Sequence, residues 1–394
     1  MSSTSTANST NYDTLTLEQL TGVVGKKWTS YPEKIGAFIA EMDFGTAPNV
    51  IETLQETVSH GFFGYLPDAM EEGLQKACAS WYTDNTGWNV APEQIHSLPD
   101  VLKGLEITLN FYAPKGGKVI IPTPAYMPFL MVPKFNDREM IQVPMLRTEN
   151  GWEFDYDGID AAFADGGEVL IVCNPHNPIG RVLTRDEMAK LSEIVDKHDG
   201  RVFSDEIHAP LVYGGHQHLP YASISEATAN HTITAVAASK AWNLAGLKCA
   251  QIVISNDADA EIWQNGGASW AGHGASTLGV VASIAAYNEG REWLADVVSY
   301  LDGNRKRLAE LVAEELPGVS YSMPEGTYLA WLDFSDTKVP LDVGEFFREN
   351  AGVAITDGGA CGEVGCKCVR FNFAMPRPIM EQAIRQMSEA IRAL

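Results

Sequence analysis

Basic side chains are scarce in this sequence: 28 lysines and arginines stand against 51 aspartates and glutamates, a formal net charge of −23. No local run of Lys and Arg offsets the surplus acid, so nucleic acid and anionic lipid are excluded as partners. Cysteine is also sparse, with six in 394 residues, at Cys78, Cys173, Cys249, Cys361, Cys366 and Cys368. That is no disulfide framework for a chain of this length. The spacing of the last three is not a zinc pattern, and no histidine follows His273, so reduced structural thiols and no metal are expected. Long apolar runs are missing as well: stretches such as Leu278 to Tyr287 are broken by Gly, Ser or charge well before the length of a bilayer span, so no membrane helix is expected. Residues Met1 to Thr10 are rich in Ser, Thr and Asn, and the first lysine is Lys26. The basic and apolar regions of a secretory signal are therefore lacking, and a disordered tail on a cytoplasmic protein is expected.

What is present is an ordinary globular composition, 45% hydrophobic, 20% charged and 9% aromatic, in a length that suits one large domain or two fused ones. After about residue 115, short β-branched runs alternate with longer periodic segments, the pattern of an α/β chain built on a mostly parallel sheet. Strands are expected at Lys118 to Ile121, Val169 to Cys173, Arg201 to Ser204, Thr232 to Val236 and Ala250 to Ser255. Thr184, with Glu187 three residues on, forms a capping box that predicts a helix from about Arg185 to His198. Another helix is expected over Leu278 to Tyr287. From about Gly290 the texture changes to a charged amphipathic helix (Trp293 to Leu311), a strand (Tyr328 to Phe334) and a C-terminal helix from about Ile379 to Leu394. These assignments divide the chain into an N-terminal segment over 1–48 that packs with a small domain, a large domain over 49–289 and a small α+β domain over 290–394.

The polar residues of interest follow directly on the apolar runs, at the strand ends where open α/β sheets bind ligands. Lys240, in Ser239-Lys240-Ala241-Trp242-Asn243, comes after a predicted buried strand, where a lysine in low dielectric can lose its proton and form a Schiff base. Alone it reads as an ordinary surface lysine, and only its companions point to chemistry. Asp205, in Ser204-Asp205-Glu206-Ile207-His208, could pair with a protonated ring nitrogen or simply cap a helix. Asn174-Pro175-His176-Asn177-Pro178-Ile179-Gly180 is a rigid turn that would aim an amide at the same edge, or a plain loop.

Taken together, the Asn-Pro-x-Asn-Pro-x-Gly turn, the later Asp205 and the Ser239-Lys240 pair resemble the fold-type I pyridoxal-phosphate enzymes of the class I/II aminotransferase family, over most of the chain. Ala40-Glu41-Met42-Asp43-Phe44, Phe63-Gly64-Tyr65, the segment around Asp205 and Gly326-Thr327-Tyr328-Leu329-Ala330-Trp331-Leu332-Asp333 are similar to its cystathionine β-lyase and cysteine-conjugate C–S lyase branch. The resemblance implies a large domain with a mostly parallel sheet flanked by helices, a smaller α+β C-terminal domain, and pyridoxal 5′-phosphate as cofactor. In that picture Lys240 holds the cofactor covalently and then acts as the base at the substrate Cα. Asp205 keeps the pyridine nitrogen protonated, and Asn177 hydrogen-bonds the ring hydroxyl oxygen. Tyr126 stacks on the ring, although a buried tyrosine is also simply core, and His208 lies near the ring or is structural. The phosphate sits where Val101 and Leu102 begin a helix. Lys248 occupies a position where many family members carry arginine, keeping the charge without the bidentate fork. Ala237 lacks a hydroxyl that several relatives use on the phosphate, which leaves Ser239 as a weaker candidate. Tyr65 corresponds to a tyrosine that reaches the phosphate of the neighbouring subunit, implying a homodimer with shared sites, or it is core. Arg370, in Val369-Arg370-Phe371-Asn372-Phe373, is a lone guanidinium among apolar residues, and the family's arginine there grips the substrate α-carboxylate; an internal ion pair is the alternative.

The same residues serve more than one outcome. With an L-cysteine thioether such as cystathionine, expulsion of the thiolate from Cβ gives a thiol, pyruvate and ammonia, the leading reading. Return of the proton to the cofactor's C4′ makes the protein an aminotransferase. A third reading is a regulatory or binding protein that keeps the cofactor without turnover.

Overall fold

The computed structural model of the chain describes residues 11–394 except 24, 62, 149 and 150. The tail expected over Met1 to Thr10 lies outside the described residues. The β-branched runs form a seven-stranded sheet in the spatial order Ile95–Leu98, Ala250–Ile254, Thr232–Val236, Arg201–Asp205, Gly167–Cys173, Lys118–Thr123 and Met140–Pro144. Ala250–Ile254 runs antiparallel to both its neighbours, and every other pairing is parallel. Alternation of side chains divides the sheet's two faces between different cores. Val169, Ile171 and Cys173 pack in one cluster with Val101 and Leu105, whereas Leu170 and Val172 join another with Ile159 and Leu191. Because both faces are covered, these strands read as nearly continuous apolar runs.

The capping box at Thr184 is formed as expected: Thr184 Oγ1 accepts the Glu187 N–H at 3.3 Å, and Glu187 Oε2 accepts the Thr184 N–H at 2.9 Å. The helix runs Arg185–Lys197. The amphipathic helix expected at Trp293 is longer, Arg291–Glu315, and the C-terminal one begins two residues earlier, as Arg377–Arg392, because Pro378 is tolerated in a first turn.

A second, five-stranded sheet has the order Ile35–Ala37, Val353–Asp357, Cys368–Asn372, Leu329–Asp333 and Ser320–Tyr321. Its edge strand comes from the N-terminal part of the chain and pairs in parallel with Val353–Asp357. The residues that follow, Phe38 to Asp43, form a strap bonded to both sheets. The Phe38 carbonyl accepts from Arg370 at 2.7 Å, and the Ile39 and Glu41 carbonyls accept from Asn372 Nδ2 at 2.6 and 2.7 Å. Toward the large sheet, Asn243 exchanges hydrogen bonds with the backbone of Met42, 3.0 Å each way. The strap ends at a buried ion pair, Lys27 Nζ to Asp43 Oδ2 at 2.8 Å, where Asp43 also accepts the Trp28 indole N–H.

Removing one member of that pair strands the other charge in the interior. Lys27→Met is expected to destabilise the protein by about 3–5 kcal/mol in urea unfolding, and adding Asp43→Asn to restore part of it. A loss below about 1 kcal/mol, the range of an exposed pair, would show that the pair does not anchor the strap.

Candidate active site

Four adjacent parallel strands deliver side chains to one edge of the large sheet. Asp205 is the last residue of its strand, in register between Cys173 and Ala235. The neighbouring strand Gly167–Cys173 runs into the turn that carries Asn177, Thr232–Val236 leads to Lys240, and Lys118–Thr123 leads to Tyr126. The Asn177 turn closes at Gly180, whose φ of +74° and lack of a side chain are both required, since a Cβ there would lie 2.3 Å from Pro324. The Gly180 carbonyl then accepts the N–H groups of Glu325 and Gly326 at 2.8 and 2.9 Å. This seam sets the large sheet's turn against the entry to strand Leu329–Asp333. The small sheet contributes Arg370, paired across its strand with Thr356 on one side and Trp331 on the other.

A cavity of about 480 Å³ collects these groups: Tyr126, Asn177, Asp205, His208, Lys240 and Arg370 line it, as does Val101 at the start of helix Val101–Ile107. Lys240 Nζ donates to the Ala40 carbonyl at 2.8 Å, and the Tyr328 hydroxyl donates to the same oxygen at 3.0 Å. Arg370 donates through Nη1 to Asn177 Oδ1 at 3.1 Å and through Nη2 to Thr356 Oγ1 at 3.3 Å. Its Nε is buried without a partner among the described residues, as is Nδ1 of His208. The His208 ring stands edge-on to Tyr328 at 5.7 Å.

The electrostatics follow from burial. Asp205 is 2% exposed, makes no ion pair among the described residues and accepts the Ile207 N–H at 3.0 Å. Desolvation pushes its carboxyl up to about 7, with Glu206 adding to the shift and the Ile207 N–H and Lys240 opposing it. Desolvation likewise lowers Lys240 to about 8, helped by the Arg370 charge and opposed by Glu41 and Asp205. Burial and the two nearby cations hold His208 well below the usual histidine range, as the neutral ring. The site is a mostly apolar cavity that presents an amine part-neutral near pH 8, a carboxyl without a cation, and an arginine fork fixed in its wall.

Four of the residues singled out in the sequence are not in that wall. Leu102 and Ser239 are the chain neighbours of the lining residues Val101 and Lys240. Lys248, more than half exposed, is paired with Asp100 Oδ2 at 2.6 Å, at the cap of helix Val101–Ile107. Tyr65 is 95% exposed and lines a different depression, with His96 and Trp263. The sequence reading missed the part played by the strap: the Phe38 and Ala40 carbonyls anchor Arg370 and Lys240. Carbonyl groups carry no residue-type signal, although the motif Ala40 to Phe44 was visible. It also assigned nothing to Glu206, which is fully buried, pairs with His218 at 2.9 Å and accepts from Ser204 Oγ and the Tyr221 N–H.

Comparisons with known proteins place nearly the whole chain beside a single family. The family model for class I and II aminotransferases matches residues 33–387. The cystathionine β-lyase of Corynebacterium glutamicum is 40% identical over 95% of this chain and 99% of its own. A crystal structure of a Corynebacterium diphtheriae protein superposes with a TM-score of 0.91 at 39% identity, covering 96% of this chain and 98% of that one. A pyridoxal-phosphate-bound C–S lyase from Staphylococcus hominis superposes with a TM-score of 0.87 at 30% identity, covering 97% and 98%.

The raised Asp205 carboxyl has a stability consequence in the cofactor-free protein. Between pH 3.8 and about 7 the unfolded chain is ionised at this group and the folded chain is not, so stability falls across that window, by at most about 4 kcal/mol. Asp205→Asn removes this term. The variant's melting temperature is expected to exceed that of the parent at pH 8 and to approach it at pH 4; a parent at least as stable at pH 8 would contradict the buried-carboxyl account.

Proposed function

The chain belongs to the aminotransferase class I and II family, and from that premise we propose that it is a pyridoxal-phosphate-dependent carbon–sulfur β-lyase. Its substrate is an L-cysteine thioether of the cystathionine type, cleaved to a thiol, pyruvate and ammonia. The observation that carries the proposal is the grouping, in one cavity, of a desolvated lysine, a buried carboxyl without a cation and a buried arginine, in a chain 40% identical to a cystathionine β-lyase.

The donor set fits the cofactor. A protonated pyridine nitrogen is the cation that Asp205 lacks, and Nδ1 of His208, which lines the same cavity, is buried without a partner among the described residues. When bound, pyridoxal phosphate supplies an aldehyde that captures amines and a ring that withdraws electrons from the substrate Cα. Asp205 would hold the ring N–H, Asn177 the ring oxygen, and Tyr126 a face of the ring. The N–H groups at the start of helix Val101–Ile107 would hold the phosphate, with Lys248 at that helix's cap and Leu102 and Ser239 beside it.

The chain's own residues then account for the reaction. Arg370 binds the α-carboxylate and orients the Cα–H bond, using a fork already fixed by Asn177, Thr356 and the Phe38 carbonyl. Lys240 Nζ, part-neutral near pH 8 because it is buried, takes the Cα proton. The electron pair left at Cα drives cleavage of Cβ–S, the thiolate leaves with the C–S pair, and the released aminoacrylate hydrolyses to pyruvate and ammonia. The enclosing strap limits water around Lys240.

Exposure of Tyr65, Phe63 and Trp270 supports a further reading, a homodimer in which Tyr65 serves the partner's phosphate. No helix among the described residues is long and apolar enough to cross a membrane, and we place the enzyme in the cytoplasm.

Cofactor-loaded protein is expected to release thiol, pyruvate and ammonia in equal amounts from L-cystathionine and from S-methyl-L-cysteine without a 2-oxo acid. Amino transfer that needs the 2-oxo acid and frees no thiol would make the protein an aminotransferase. Lys240→Ala should abolish both turnover and the borohydride-fixed link to the cofactor, and a biological activity surviving that change would favour a binding role. Arg370→Lys, which keeps charge but loses the fork, should lower kcat/KM by about 10- to 150-fold; a change below threefold would remove Arg370 from the carboxylate site.

A further inference from the structure

A second cavity, of about 460 Å³, opens beside the first and shares three of its walls, Phe38, Met127 and Thr356. Two of these are the groups that fix Arg370: the Phe38 carbonyl and Thr356 Oγ1 each accept from its Nη2. The two cavities therefore adjoin at the residues that hold Arg370. Its own lining is charged. Arg348 supplies the cation, and Asp342, Glu345 and Asp357 supply carboxylates.

These charges are not equally free. Asp357 is committed to the backbone, accepting the N–H of Gly359 at 2.9 Å and of Gly344 at 3.1 Å. Arg348 lies over the Tyr31 ring at 5.4 Å, a stack that holds the guanidinium plane at the cavity wall. Its ion pairs are to exposed carboxylates, Nε to Glu349 at 3.2 Å and Nη2 to Glu345 at 3.6 Å, and pairs of that kind exchange readily with water and ligand. Asp342 caps helix Val343–Asn350 without a side-chain hydrogen bond to it. The cavity thus offers one guanidinium held against Tyr31, a carboxylate that pairs with it only through an exposed, exchangeable contact, Glu345, and a second at Asp342, a complement to a group carrying a carboxylate and an ammonium together.

We propose that this cavity is the subsite for the far end of the thioether, the portion beyond sulfur, and that it selects substrates whose far end is itself a zwitterionic amino acid. Arg348 receives the distal carboxylate, and Glu345 and Asp342 receive the distal ammonium. Arg348 is a specificity residue and takes no part in bond breaking. The inference rests on the lyase reading above for the identity of the substrate.

The test compares L-cystathionine, which has a zwitterionic far end, with S-methyl-L-cysteine, which has none, on cofactor-loaded protein. Rapid-mixing absorbance of the cofactor reads amino-acid capture whether or not the C–S bond breaks, and thiol release is followed in parallel. Arg348→Gln is expected to weaken the apparent affinity for L-cystathionine about tenfold while leaving S-methyl-L-cysteine within twofold. Arg348→Lys, which keeps the charge, is expected to recover most of the difference. Equal effects on the two amino acids, or no effect on either, would overturn the subsite. Capture without thiol release from either compound would instead overturn the lyase reading, and the ratio of affinities would still decide the role of Arg348.

Discussion

Desolvation of charge at the carboxyl end of the large sheet is the constraint around which the rest is arranged. Lys240, Asp205 and Arg370 are each taken out of water, and none is neutralised by an ion pair within the described residues. Burial without compensation is costly, and proteins retain it where a ligand or a reaction supplies the missing partner. The neutral groups around them are chosen accordingly. Asn177, Thr356 and the Phe38 and Ala40 carbonyls satisfy donors by hydrogen bonds without cancelling the charges that a substrate and cofactor must meet. A carboxylate in any of those places would pull Lys240 back toward its ordinary range and remove the neutral amine that the proposed role as a base requires.

The fold makes this possible by building the cavity from two sheets and a strap. Parallel strands all end at the same edge, so Asp205, Asn177, Lys240 and Tyr126 arrive together although they are far apart in sequence. Arg370 comes from the other sheet, and its position depends on the strap, which also holds Lys240. The Gly180 seam and the Lys27–Asp43 pair fasten the turn and the strap from opposite ends. The geometry of the candidate site is therefore a property of inter-sheet contacts as much as of the strand ends.

Much of this was legible in the sequence because it is local. Strand ends followed by Asn177, Asp205 and Lys240 announce an edge of an α/β sheet, and the Thr184 box announces its helix. Less was legible where contacts are long-range or made by backbone. The strap's carbonyls have no residue signature, and the reversed direction of Ala250–Ile254 leaves no trace in its β-branched composition. Lys248 illustrates the same limit: the resemblance implied a role at the phosphate, and its pairing with Asp100 at the helix cap is a long-range contact that the sequence did not signal. Tyr65 is exposed and lines a depression apart from the cavity, a placement that its position in the sequence did not signal.

The central claim, that the site holds charge out of water for a ligand to complete, is tested most directly by the protonation of Asp205 itself. Carboxyl ¹³C-NMR titration of cofactor-free protein, with the signal assigned by its loss in Asp205→Asn, is predicted to give a midpoint near 7. On loading pyridoxal phosphate the same carbon should report an ionised carboxylate across that range. A cofactor-free midpoint near 4, the value of an ordinary aspartate, would mean that the carboxylate is already solvated or paired, and the account would be wrong.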